Sequence, residues 1–137
     1  MSTLKVLVPL DGSEKSMHSL NWLKKFYVKE NLEITLVNVV ELFYNKELFV
    51  AEGEFQFVED QSKQILDTAE NELEGYTVKK LSIWGSPADE ILKEAKAGNY
   101  DMIVMTKSSV KGISRIIGSL TAKIVRNSEV AVIVVPE

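Results

Sequence analysis

Residues 5–40 read KVLVPLDGSEKSMHSLNWLKKFYVKENLEITLVNVV, and their pattern indicates the fold class. Its two ends, residues 5–10 and 33–40, are strand-length runs rich in Val, Leu and Ile. Between them, apolar residues recur at spacings of three and four, as on one face of an amphipathic helix: Met17, Leu20, Leu23 and Tyr27. Nearly continuous apolar strands are typical of a parallel sheet that is covered on both faces. The stretch therefore predicts two parallel strands joined by a helix.

The same alternation continues along the chain. Three further strand-like runs are residues 77–84, 102–105 and 130–135, and the first of these is mixed enough to predict an edge strand. Helical periods separate the runs, so the order of elements is βαβαβαβαβ. This order predicts an α/β fold, a single doubly wound domain over residues 1–137, with a right-handed parallel sheet and helices on both faces.

Glycine, proline and capping residues mark the expected ends of the helices. The second helix is expected to stop at Gly75 and the third at Gly98. The fourth is expected to begin at Gly118-Ser119 and to bury Leu120 and Ile124. The third helix has a full set of start signals, an N-cap, a proline at the first position and a reciprocal capping residue: Ser86, Pro87 and Asp89.

Composition narrows the range of functions. The 137 residues include 16 basic and 20 acidic ones, a net charge of −4, which disfavours binding to nucleic acid or anionic membranes. There is no cysteine and one histidine, His18, so thiol chemistry and histidine-rich metal sites are excluded, and a packing or surface role is expected for His18. The longest apolar run is too short to cross a bilayer and the N-terminus lacks a secretory pattern, so we expect a cytoplasmic protein.

Common phosphate-handling motifs are absent from the expected positions. The chain has no GxxxxGK[ST] motif, and the first strand is followed by Leu10-Asp11-Gly12-Ser13 instead of GxGxxG. The third strand ends in Trp84-Gly85, where a phospho-acceptor receiver domain would carry an aspartate. Pro9 stands where a haloacid-dehalogenase phosphatase would carry its second aspartate.

A basic stretch occupies residues 107–126. It has no acidic residue although the chain is acidic overall, and its cations are Lys107, Lys111, Arg115, Lys123 and Arg126. The expected helix start at Gly118-Ser119 lies near its middle, and the N–H groups and dipole of a helix start attract anions. The stretch is therefore either a solvated basic face or a phosphate cradle between the fourth strand and the fourth helix.

Two connections, residues 41–53 and 107–117, are longer than is usual in such folds. Both follow strands, and open α/β sheets bind ligands at the carboxyl ends of their strands. The first connection contains or precedes five aromatic residues: Phe43, Tyr44, Phe49, Phe55 and Phe57. We favour a loop whose hydrophobic underside packs on the sheet over the two alternatives, a lid that covers a ligand or a patch that binds a partner.

Six segments, taken in order, resemble the universal stress protein family and span essentially the whole chain: Val6–Ser13, Val37–Val40, Gly85–Pro87, Tyr100–Met105, Gly112–Ser119 and Val130–Pro136. The resemblance implies a five-stranded parallel sheet in the order 3-2-1-4-5 and homodimers that pair through the fifth strand, residues 130–136. It also implies adenine-nucleotide binding in some members. For the apolar edge strand, the alternative is that Glu129 and Pro136 block pairing and keep the chain monomeric.

The nucleotide-binding branch of that family carries a glycine, two residues, a second glycine, nine residues and then Gly-Ser or Gly-Thr. Anchored on Gly118-Ser119, the first two glycine positions fall on Met105 and Ser108. Ser108 is small and keeps an N–H and a hydroxyl. The Met105 side chain would occupy the space that a nucleotide needs, or it fills the core at the end of a buried strand.

If a nucleotide binds, the resemblance implies where. Asp11 would accept a ribose hydroxyl or hold a metal-bound water, and its alternative role, shared with Ser13, is to cap the first helix. Val39 would face the adenine, and Gly118-Ser119 would give backbone donors to the phosphates or be a plain helix start. The implied set is Pro9, Leu10, Asp11, Val39, Val104, Met105, Thr106, Lys107, Ser108, Ser109, Val110, Gly118, Ser119 and Leu120.

The preferred hypothesis is a dimeric, ligand-responsive interaction module that binds ATP or AMP with Mg2+ between the first and fourth strands. One alternative is a member that does not bind nucleotide and acts only through protein–protein contacts. The other is a very slow ATP hydrolase. Because Asp11 is the sole candidate general base and a carboxylate is a weak base at neutral pH, we expect the protein not to be an enzyme.

Overall fold

Five strands and four helices alternate in the computed structural model, which describes residues 3–41, 52–107 and 118–136. The strands are β1 (Leu4–Pro9), β2 (Leu32–Val40), β3 (Thr77–Trp84), β4 (Met102–Thr106) and β5 (Ala131–Val135). The helices are α1 (His18–Phe26), α2 (Glu52–Asn71), α3 (Pro87–Ala97) and α4 (Ser119–Asn127), with short 3-10 turns at Lys15–Met17 and Lys29–Asn31. Each strand lies within one residue of its predicted run.

The sheet is parallel throughout and has the order β3-β2-β1-β4-β5, which confirms the predicted fold. β1 lies at its centre, where Val6 is in register with Ile34 of β2 and with Met102 of β4. The chain leaves β1 towards β2 on one side and later returns to β4 on the other. The carboxyl ends of β1 and β4 therefore form the switch point at which such sheets open a crevice.

The core consists of two layers, one on each face of the sheet. Successive side chains of a strand point to opposite faces, so β1 contributes to both layers. The layer under α1 and α2 includes Val6, Val8, Leu20, Leu23 and Leu66. The layer under α3 and α4 includes Leu7, Val37, Ile91, Ala95 and Ile124. Because burial of one Leu or Ile side chain stabilises the folded state by about 1.5–3 kcal/mol, these two layers supply most of the favourable free energy of folding.

β3 is an edge strand, as its mixed composition predicts. Its polar residues pair with α2: Lys80 Nζ donates to Asp67 Oδ1 at 2.7 Å and to Glu70 Oε1 at 3.0 Å. These hydrogen bonds raise the pKa of Lys80. Farther along the strand, the hydroxyl groups of Ser62 and Ser82 lie 2.6 Å apart. Polar pairing therefore fastens α2 to the edge of the sheet.

The end of α2 differs from the prediction. The helix ends at Asn71, not at Gly75, because the chain continues as a turn in which the Tyr76 N–H donates to the Leu73 carbonyl at 3.0 Å. Gly75 has a φ of +87°, a value that favours glycine, and it closes this turn ahead of β3. No helix in the described parts of the chain is both long and apolar enough to span a membrane.

Candidate functional site

A cleft of about 610 Å3 opens at the carboxyl ends of β1 and β4. Its volume lies within the range of ligand pockets, about 300–1,000 Å3. The wall comes from the ends of β1, β2 and β4 and from the starts of α3 and α4. It includes eight of the residues that the resemblance implies: Pro9, Leu10, Asp11, Val39, Met105, Thr106, Ser119 and Leu120.

Other implied residues lie elsewhere. Val104 is fully buried in the layer under α1 and α2, because successive residues of β4 alternate between the two faces. The Lys107 N–H donates to the Val135 carbonyl at 3.2 Å and so extends the pairing of β4 with β5. Gly118 is the buried N-cap of α4. Three positions lie outside the described residues: Ser108, Ser109 and Val110.

The end of β1 is fastened to β2. The Leu10 N–H donates to the Val37 carbonyl, and the buried Asn38 Nδ2 donates to the Leu10 carbonyl, each at 2.8 Å. These bonds fix the backbone of Pro9, Leu10 and Asp11 where it forms the cleft wall. Sequence reasoning missed Asn38, and the signal that could have found it is a polar residue within the otherwise apolar run of β2.

Asp11 is exposed and organises the turn after β1. Its Oδ1 accepts hydrogen bonds from the Ser13 N–H at 2.8 Å and from the Ser13 hydroxyl at 2.5 Å. The Ser13 Oγ in turn accepts from the Ser16 N–H at 3.2 Å, which leads the chain into α1. The predicted capping of the first helix by Asp11 or Ser13 is wrong, because α1 begins at His18 and its N-cap, Met17, makes no side-chain capping hydrogen bond. Asp11 and Ser13 shape the preceding turn instead, and Asp11 also belongs to the cleft wall.

The first turns of two helices face the cleft. Pro87 and Ala88 of α3 and Ser119 and Leu120 of α4 all belong to its wall. N–H groups in a first turn have no acceptor within their own helix, and they carry the positive end of the helix dipole. At α3, where the sequence predicts a cap from Ser86, that side chain makes no capping hydrogen bond within the described structure. The first turns of two helices thus line one cavity.

Met105 forms part of the cleft floor. Its side chain is 3% exposed and belongs to the layer under α3 and α4, together with Val37 and Ile91. Most of the Met105 side chain therefore fills the core, as one of its two interpretations predicts. The volume of about 610 Å3 is the space that remains open above this floor.

The charges of the cleft differ from the expected phosphate cradle. Among the described wall residues the charged ones are Asp11, Glu41 and Lys123, two carboxylates and one cation. Lys123 Nζ lies 2.9 Å from Asp89 Oδ1 at the start of α3. The described part of the wall therefore does not support the phosphate-cradle alternative. Lys111 and Arg115 of the basic stretch lie outside the described residues.

The aromatic residues after β2 are only partly described. Phe55 has its ring 5.6 Å from that of Trp84 at the end of β3. Phe57 is 61% exposed, so the interpretation as a packed underside is wrong for this residue. Phe43, Tyr44 and Phe49 lie outside the described residues.

Comparison with known proteins assigns the chain to one family. The family model of the universal stress protein family matches residues 3–136. The chain belongs to the universal stress protein family. Two curated relatives carry the same family name. Universal stress protein MJ0531 of Methanocaldococcus jannaschii is 28% identical over 145 residues, which cover 96% of this chain and 81% of the relative. Universal stress protein MJ0577 of the same organism is 27% identical over 151 residues, which cover 96% and 93%.

Solved structures of universal stress proteins share the fold. The structure of MJ0577 matches with a TM-score of 0.80 at 28% identity and covers 98% of this chain and 96% of its own. An Arabidopsis thaliana family protein, At3g01520, solved with AMP bound, matches with a TM-score of 0.72 at 20% identity, covering 96% and 90%. A universal stress protein in complex with cAMP matches with a TM-score of 0.67 at 18% identity, covering 98% of both chains. At their identities, the last two establish the common fold alone.

Proposed function

We propose that this universal stress protein binds an adenine nucleotide, AMP or ATP, in the cleft between β1 and β4. One observation carries the proposal: the first turns of α3 and α4 and the side chain of Asp11 face a single cavity of about 610 Å3. Helix N-termini favour phosphate groups, and a carboxylate accepts strong hydrogen bonds. Further support comes from the structural neighbours that were solved with AMP and with cAMP.

The composition of the wall suggests how such a ligand would lie. The adenine would pack against the apolar wall at the end of β2, where Val39 is half-buried. The ribose would lie beside Asp11 at the end of β1. The phosphate would lie at the start of α4, where the N–H groups of Ser119 and Leu120 belong to the first turn.

A magnesium ion would enter with the phosphates of ATP. Proteins usually hold magnesium through one or two carboxylates, with waters and substrate phosphates as the other ligands. Two carboxylates of the wall, Asp11 and Glu41, suit this role. Within the described residues there is no group of three or more His, Cys, Asp or Glu side chains that could hold a metal ion. AMP would need no metal.

We infer a ligand-responsive interaction module in the cytoplasm, not a catalyst. Asp11 is exposed to water, and its Oδ1 accepts two hydrogen bonds from Ser13 that serve the turn after β1. His18 begins α1 and does not belong to the wall of the cleft. Phosphate release from ATP over hours of incubation would contradict this inference.

The same module would form homodimers through residues 130–136. β5 lies at the end of the strand order, and its residues Ala131 to Val134 are exposed or half-buried. An apolar edge strand is a template for pairing, and a two-fold axis places two identical edges against each other. Sedimentation at micromolar concentration tests this, and a species of 15.4 kDa would contradict it.

A second candidate function is favoured by Met105. Its side chain occupies the floor of the cleft at a position where nucleotide-binding members of the family carry glycine. A member of the family that has lost nucleotide binding would act only through protein–protein contacts, and Met105 is the feature that favours this alternative.

A thermal-shift titration separates the two candidates. AMP, ATP and ATP with Mg2+ are added to the full chain, with GMP and inorganic phosphate as controls. A ligand at 100 times its dissociation constant should stabilise the folded state by about 2.7 kcal/mol. A shift with the adenine nucleotides that exceeds the shift with phosphate supports the proposed function. No shift at millimolar AMP and ATP supports the second candidate.

A further inference from the structure

Lys123 is the cation of the described cleft wall, and it lies on α4, at whose start the proposed function places the phosphate. It follows Ser119 by four residues, and residues four apart lie on the same face of a helix. Both side chains belong to the wall. The other charged wall residues described, Asp11 and Glu41, are carboxylates that repel a phosphate. Attraction of the described side chains for a phosphate therefore depends on Lys123.

A side chain of α3 already holds this cation. Lys123 Nζ lies 2.9 Å from Asp89 Oδ1, and the two side chains are 50% and 63% exposed. Exposed ion pairs of this kind contribute little to stability, so this one opens easily. Asp89 also lies in the first turn of α3, where the helix dipole favours a carboxylate with or without a partner. The cation can therefore be exchanged between Asp89 and a ligand at small cost.

We propose that Lys123 is the side chain by which the cleft distinguishes a phosphorylated ligand from the corresponding nucleoside, and that Asp89 competes with the ligand's phosphate for it. This rests on the proposed function, since it assigns a phosphate-selective residue to the same cleft. On binding, the ammonium group moves from the Asp89 carboxylate to the phosphate, where it makes a charge-assisted hydrogen bond. Asp89 thereby lowers the affinity for phosphorylated ligands and leaves the affinity for nucleosides unchanged.

The test compares AMP with adenosine by isothermal titration calorimetry of the full chain at one ionic strength. The wild type should bind AMP more tightly than adenosine. Lys123→Met keeps an unbranched, largely aliphatic side chain but removes the charge, and it should weaken AMP binding about tenfold. Asp89→Asn should tighten AMP binding about two- to fivefold. Neither substitution should change the affinity for adenosine.

Two further variants exclude a general charge effect. Glu129→Gln removes one negative charge from another ion pair beside α3, in which Lys96 Nζ lies 3.8 Å from Glu129 Oε2, and it should leave both affinities unchanged. Asp89→Asn should lose its effect when Lys123→Met is also present, because contacting residues couple in a double-mutant cycle. Thermal unfolding without ligand verifies that every variant is folded.

The outcomes separate this inference from the proposed function. An unchanged ratio of AMP to adenosine affinity in Lys123→Met overturns the role of Lys123, while the proposed function stands if both ligands bind. An effect of Asp89→Asn that persists without Lys123 overturns the competition. If neither ligand binds to the wild type, the proposed function and this inference fail together.

Discussion

The two ends of the sheet use their polar groups differently. At the amino end, the Lys5 N–H donates to Asp101 Oδ2 and the Asp101 N–H donates to the Lys5 carbonyl, both at 2.8 Å. There too, Lys5 Nζ donates to the Gly98 carbonyl at 2.5 Å, and the Tyr100 hydroxyl donates to Glu94 Oε1 at 3.1 Å. At the carboxyl end, two helix starts face an open cleft. Polar groups that satisfy one another hold the fold, whereas groups that face a cavity can hold a ligand.

The comparison implies that substitutions at the two ends should have different effects. A change at the amino end should lower the free energy of unfolding and leave ligand affinity unchanged. A change in the cleft wall should alter ligand affinity, with or without a cost in stability.

Substitution of two methionines of β4 should change the free energy of unfolding the most. Met102 at the amino end is 6% exposed and belongs to the layer under α1 and α2, while Met105 at the carboxyl end forms the cleft floor. Substitution of either by alanine should lower the free energy of unfolding by about 2–5 kcal/mol. Met105→Ala alone should tighten AMP binding, because it clears space in the cleft. Denaturant unfolding measures the stability and calorimetry measures the AMP affinity, and equal effects of the two substitutions on AMP binding would show that the two ends do not differ in this way.

Gly98→Ala tests the closure of the amino end. A Cβ at this position would lie 2.3 Å from Tyr100 Cε2 and 3.1 Å from the Glu94 carbonyl oxygen. Tyr100 is 5% exposed and hydrogen-bonded, so its ring cannot easily move away. Overpacking of this kind costs about 1–3 kcal/mol, which thermal or denaturant unfolding would detect. AMP affinity should not change, and a substantial loss of affinity would show that the two ends are not independent.

Asp11→Ala with Ser13→Ala as its matched control tests the carboxyl end. Both variants remove the hydrogen bond between the Ser13 hydroxyl and Asp11, and Asp11→Ala also removes the bond from the Ser13 N–H. Each lost bond should lower the free energy of unfolding by about 0.5–1.5 kcal/mol. Ser13 does not belong to the cleft wall, so only Asp11→Ala should weaken AMP binding, by about tenfold. If the two variants weaken AMP equally, Asp11 acts through the turn and does not contact the ligand.

The smallest effect that we expect is a change in stability at alkaline pH. Burial raises the pKa of Tyr100 above its ordinary value of 10.0. The unfolded chain therefore releases this proton at lower pH than the folded chain, so the stabilisation is complete below pH 10.0 and is lost as pH rises through the folded pKa. The free energy of unfolding, measured in denaturant as pH rises across this range, should decline less steeply for Tyr100→Phe than for the wild type. Lys80 titrates in both proteins, so the difference between them reports the titration of Tyr100. Identical dependence of stability on pH in the two proteins would contradict the burial of Tyr100 as the cause of its raised pKa.

The fold could be predicted from the sequence because strands buried on both faces leave long apolar runs. All five runs lie within one residue of the observed strands. Errors occurred where long-range contacts decide the outcome. Asp89, expected as a reciprocal cap of α3, pairs instead with Lys123, 34 residues away. Nothing local in the sequence signals that contact.

The candidate site could be predicted only in part. The resemblance implied residues that follow β1 and begin α4, such as Asp11 and Ser119, and the structure places both in the cleft wall. Residues from neighbouring elements were missed, including Asn38 of β2 and the first turn of α3. The two alternatives for the basic stretch could not be separated from the sequence, because a count of charges along the chain does not show which cations reach the wall.

An amide NMR titration with AMP reports both ends of the sheet at once and so shows where the ligand binds. We expect the amide signals of Asp11, Ser119 and Leu120 at the carboxyl end to shift with AMP concentration, while those of Tyr100 and Asp101 at the amino end do not. Signals that remain fixed at the carboxyl end in millimolar AMP, or that shift only at the amino end, would contradict this expectation.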